Sequence, residues 1–264
     1  MSRVRAMREA VPAEWVKLRT VPSTKWLLAA VIAVTAVLGV IADGVTRCPA
    51  AACQVDPAKT SLIGIGLGQV MVVVLAATAI SGEYGTGMIR VTFAAMPHRT
   101  AVLAAKAAVT IGPVLGAGAI AVLGSVLAGR LILPGHGFTT AHGYPSLSLS
   151  DGPVLRAAGG SVLYLALIAL VSLGTAAAVR DTAAAIGTVL GLLYVVPIIA
   201  AVLGNSGSSR HLQQIAPMTA GLAIQATTGL RNLPISPWAG LGVLAAWAAA
   251  AMLAGSLLLH LRDA

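Results

Sequence analysis

Residues 81–106 read SGEYGTGMIRVTFAAMPHRTAVLAAK, a polar-punctuated stretch between an apolar run at 62–81 and another at 103–127. Each run is near the ~20 residues an α-helix needs to cross a hydrocarbon core ~30 Å thick, so the stretch reads as a turn between two membrane spans. If residues 83–96 are helical, Glu83, Thr86 and Arg90 share one face at i, i+3, i+7 spacing, while Ile89, Phe93 and Met96 share another. Gly85 and Gly87 would each cost about 1 kcal/mol in a regular helix, so the first turn is expected to be irregular and docked against something. Pro97 ends the element.

Outward from this hairpin the composition agrees. The 264-residue chain is 58% hydrophobic and 9% charged, whereas a soluble domain carries roughly a quarter of its residues as charges. The expectation is a single all-α integral membrane domain, 1–264, with six spans at about 26–42, 62–81, 103–127, 161–179, 183–203 and 237–259. No small-residue cleavage site precedes the first polar loop, so the first span is expected to stay. The net charge of +9 is explained by anionic lipid head groups and the inward bias of basic loops, without nucleic acid. Four Trp, four Tyr and two Phe are too few for base-stacking platforms.

Ahead of the first span, Pro12 suits the first position of a helix, and Val11, Trp15 and Leu18 then share a face. A short helix lying in the membrane interface is expected there, with Trp15, Leu18 and Arg19 at the surface, preceded by a disordered basic leader over 1–10. With the N-terminus inside, eleven of the 17 basic residues fall on the inner side, which places both termini in the cytoplasm. The expected spans hold no ionisable residue in their interior. Lys106 sits in the first turn of the third, within snorkelling reach of the surface, and this argues against ion-coupled transport.

Small-residue pairs stand at 64/68, 112/116 and 187/191, the spacing that lets helix backbones approach, and Pro113 and Pro197 are expected to kink their spans. Outside, Cys48 and Cys53 lie in CPAAAC; a disulfide and two free thiols both stand open, and zinc lacks further ligands nearby. His136 and His142 fall in a loop expected to be solvated. A partly apolar outer helix is expected within 210–228.

At Gly82-Glu83-Tyr84, Gly85-Thr86-Gly87, Ile89-Arg90, Pro97-x-Arg99 and Lys106 the chain resembles the first cytoplasmic loop of ABC-2-type transporter permeases. The stretches EWVKLRT before the first span, VRDTAAAIGTVLGL from Val179, APMTAGLAI before the last span and SPWAGLGVL within it resemble that family too. The resemblance implies a bacterial cell-membrane permease whose loop carries a coupling helix. Glu83, Tyr84, Thr86, Arg90, Pro97 and Arg99 would meet a separate ATP-binding subunit. It also implies a second permease copy, identical or paired. ATP and Mg would belong to the partner, since this chain has no G-x-x-x-x-G-K-[ST] phosphate loop; no catalytic, cofactor or metal residue is expected here. Walls of Ala, Leu, Val and Gly suit a small apolar or amphipathic substrate. Two alternatives are an intramembrane serine protease of rhomboid-like type, on the strength of Gly204-Asn205-Ser206-Gly207, and a non-transporting membrane partner protein.

Overall fold

The computed structural model describes residues 3–48, 55–85, 87–88, 99–144, 147–204 and 207–262, and for residues 3–9, 142 and 262 the backbone alone. Among the described residues there is no strand. The helices are α1 Arg3–Thr20, α2 Pro22–Val45, α3 Pro57–Ser61, α4 Ile65–Gly85, α5 Arg99–Ile132 and α6 Gly152–Val179. They are followed by α7 Thr182–Leu190, a π turn Gly191–Val195, α8 Val196–Val202, α9 Gly207–Ile215, α10 Pro217–Leu222 and α11 Pro237–Arg262. Six units are long and apolar enough to cross a membrane: α2, α4, α5, α6, the continuous α7–π–α8 rod, and α11. The chain is an all-α, multi-pass membrane protein.

Local chemistry sets the boundaries. Extended Val21 precedes Pro22, whose missing N–H costs nothing at a helix start, so α1 ends and α2 begins within two residues. Asp181 caps α7 by accepting from the Ala184 amide at 2.7 Å. Arg180, at φ 66°, closes α6 in the left-handed conformation. Pro197 has no amide to offer the carbonyl four residues back, and the helix answers with the widened turn at Gly191–Val195.

α6 is the hub and packs against α4, α5, α7 and α11, while α2 lies on α4 and α5, and α1 lies on α5. Close crossings depend on glycine where a side chain has no room. A Cβ on Gly64 would stand 2.1 Å from the Thr35 carbonyl oxygen, and one on Gly174 would stand 2.4 Å from the Ala251 backbone. The 64/68 pair is therefore an internal α2–α4 contact. The 112/116 and 187/191 pairs face open space, and the tight α6–α11 crossing at Gly174 and Gly255 was not among the expected pairs.

Several expectations need correction. α1 runs through Pro12, and residues 3–10 are helical rather than a disordered leader. Packing of fully buried Ala10 and the ion contacts described below offset the ~3 kcal/mol that an interior proline costs. The spans outrun their apolar cores, so the helices do contain ionisable residues: Asp43 in α2, Glu83 in α4, Lys106 in the third turn of α5 and Arg156 in α6. The argument against ion coupling from charge-free spans loses its premise. The 133–144 loop is built rather than merely solvated, with Phe138 buried and edge-on to Tyr144 at 5.1 Å and the Cys48 amide donating to His136 O at 2.9 Å. Beyond α10, Ile224 and Gln225 are buried, and Gln225 Nε2 donates to Ser161 Oγ at 3.2 Å.

Candidate functional site: a buried ion cluster at the helix ends

The end of α4 and the start of α5 flank the residues on which the sequence reading turned. There, two carboxylates and two ammonium groups from three helices converge. Lys106 Nζ donates to Glu14 Oε2 at 2.6 Å, to Glu83 Oε1 at 2.7 Å and to the Ala79 carbonyl at 3.3 Å, which uses all three of its N–H groups. Lys17 Nζ donates to Glu83 Oε1 at 2.9 Å and to Glu14 Oε1 at 3.2 Å. Lys106, Glu14 and Glu83 are 3%, 4% and 8% exposed. Among the described residues these two positive and two negative charges balance, which makes burial tolerable: a lone buried ion costs several kcal/mol. Lys17 lies outside the spans. Burial alone would lower its ammonium, but the hydrogen bonds and charges of Glu83 and Glu14 outweigh that and hold it above the ordinary lysine value.

A second set of contacts ties the same end to the last helix. Arg99 Nη1 donates to Leu259 O at 2.6 Å and Arg180 Nη2 to Leu258 O at 3.2 Å, so both guanidinium groups satisfy carbonyls in the final turns of α11. Cations there also complement the negative end of the helix dipole. Arg180 lies 5.3 Å from the centre of the Tyr84 ring. These contacts place α1, the end of α4, the start of α5 and the end of α11 at one end of the bundle.

The expected site residues divide accordingly. Glu83, read as facing a partner or pairing with Arg90, bonds Lys106 and Lys17. Tyr84 and Arg99 are half-buried in the contacts above. Thr86, Arg90 and Pro97, with most of the expected coupling helix, lie outside the described residues. On α1, Trp15 and Arg19 are exposed and Leu18 is half-buried. Cys48 is buried and disulfide-bonded, while Cys53 lies outside the described residues. His211 is exposed on α9, His260 sits at the opposite end of the bundle on α11, and Ser206 lies outside the described residues. No group of His, Cys, Asp and Glu able to hold a metal occurs among the described residues.

Sequence reading missed Glu14 and Lys17 as partners of the loop, and treated Lys106 as snorkelling. A lysine inside an apolar run that needs a counter-charge was the available signal. At the other end of the bundle a neutral polar cluster was also missed. Tyr164 donates to Gln69 Oε1, Gln69 Nε2 donates to Gly66 O at 2.9 Å, and Tyr194 of the π turn donates to the same carbonyl. Asp43 is fully buried against Ser61, whose hydroxyl donates to it at 3.0 Å.

No protein-family model matches the chain. No curated protein matches it either.

Proposed function

We propose that the chain is the membrane-spanning permease subunit of an ATP-driven exporter of the ABC-2 type, working by alternating access with a separate ATP-binding subunit. The observation that supports this reading most is the anchoring of both helices that flank residues 86–98. α4 and α5 are clamped to each other and to α1 through Glu14, Lys17, Glu83 and Lys106, and α5 is tied to the last turns of α11 through Arg99. A push on the intervening segment would reach four helices together rather than bend one loop. The motif resemblance at 82–106 supplies the identity of the pushing partner. In this reading both termini and the ion cluster face the cytoplasm of a bacterial cell. ATP and Mg bind only the partner, and two permease copies enclose the path of a small apolar or amphipathic molecule.

The test is purification from native membranes under mild detergent. Co-purification of an ATP-binding-cassette subunit, with its ATP hydrolysis altered by this chain, supports the reading. The chain recovered without such a subunit, and without effect on the hydrolysis of the candidate subunit when recombined with it, would contradict it.

A further inference from the structure

Beside the ion cluster, α1 lies on α5 while the α1–α2 junction stands off from α4, leaving an open cleft of about 410 Å³, within the range of small-molecule sites. Its polarity is graded. Glu14, Lys17, Glu83 and Lys106 line one end, and beyond it the apolar surface of Leu18, Val21, Leu75 and Val109 is interspersed with Ser and Thr hydroxyls. From Glu83 to Leu75 is eight residues of helix, about 12 Å. The cleft thus runs through most of the ~15 Å that one leaflet contributes to the hydrocarbon core. All three Lys106 donors are taken, whereas Lys17, with about a third of its side chain exposed, gives two of its three to the carboxylates. One ammonium N–H remains for an acceptor at the mouth, and exposed Arg19 and Lys25 flank the same junction.

We propose that this cleft is a binding site for an anionic acyl lipid of the leaflet that borders the ion cluster. Its phosphate meets Lys17 at the mouth, and its first acyl carbons lie along Leu75, Val109 and Leu18. Such a lipid would fill the space between α1 and α4, and its binding does not require the exporter reading to hold.

The test is photocrosslinking of the full chain in phosphatidylcholine nanodiscs. The probe is phosphatidylglycerol bearing a diazirine on one acyl chain, with the phosphatidylcholine analogue of the same chain as reference, and labelled peptides are read by mass spectrometry. Labelling should concentrate in residues 75–83 and 106–110, with a preference for the anionic probe of about fivefold, the factor one lysine near an anionic head group supplies. Thr78 is exposed and lines the cleft, so Thr78→Trp should fill it without disturbing the core and reduce that labelling severalfold, while labelling on α11 stays unchanged. Inorganic phosphate should not compete. Equal labelling by both probes, labelling spread evenly over all lipid-facing helices, labelling unchanged in Thr78→Trp, or competition by inorganic phosphate would each overturn the proposal.

Discussion

Replacing Lys106 by Met removes the one buried ammonium that touches both carboxylates, while keeping an unbranched side chain of similar reach. Glu14 and Glu83 would remain 4% and 8% exposed, with Lys17, about a third exposed, as the remaining ammonium of the four groups. These four groups go from neutral to a net charge of −1. Breaking a buried ion pair from one side costs about 3–5 kcal/mol, because the orphaned charge stays desolvated. For a chain of this size each kcal/mol lowers the melting temperature by about 2–4 °C, so a fall of about 10 °C is expected. The assay is thermal unfolding in detergent, followed by tryptophan fluorescence. The partner variant carries the logic: in Glu83→Gln/Lys106→Met, Glu14 and Lys17 remain as a balanced pair. Neutral replacement of a buried pair is often without net cost, so most of the loss should be recovered. Lys106→Met melting with the wild type, or a double variant worse than the single, would refute the argument that charge balance holds this end together.

Three further outcomes follow from the same structure. Gly64→Ala places a Cβ 2.1 Å from the Thr35 carbonyl and should destabilise by at least about 1–3 kcal/mol through overpacking, whereas Gly112→Ala meets nothing within 4 Å and should be silent in the same melts. The Lys17 ammonium is held above its ordinary value of 10.5. Its contribution to docking α1 is therefore fully present below that value and lost only as pH climbs through the raised one. Fluorescence of a variant retaining Trp15 as its only tryptophan should stay flat from neutral to mildly alkaline pH and change beyond; a change near neutrality would contradict this. A periplasm-active reporter should be silent after Ala264 and active when inserted near Gly143, and the reverse pattern would overturn the orientation.

The spans were legible because an apolar run long enough to cross a bilayer leaves a membrane helix as the one outcome that satisfies its backbone. Their ends were not, because polar Arg99 and Thr100 and glycines at 159 and 160 continue a helix that tertiary packing has already nucleated. The π turn was legible only as a kink at Pro197, since the manner of relief depends on neighbouring helices. Of the ion cluster, the Glu14–Lys17 pair lies three residues apart on one helix. The Lys106 contacts to Glu83 and Glu14 span 23 and 92 residues, and no local periodicity reports them. Reading Glu83 and Arg90 as one helical face singled out Glu83 but not its lysine partners, because Lys106 comes from the next span and Lys17 from the helix ahead of the first.

The central claim is that residues 86–98 connect this chain to an ATP-binding subunit. The measurement that tests it most directly is ATP hydrolysis by the assembled complex carrying Arg90→Glu, with Glu83→Gln/Lys106→Met as the control for disturbance of the ion cluster. The account expects Arg90→Glu to insert and melt like the wild type while the subunit's hydrolysis no longer responds to the permease. A wild-type response from Arg90→Glu would contradict it.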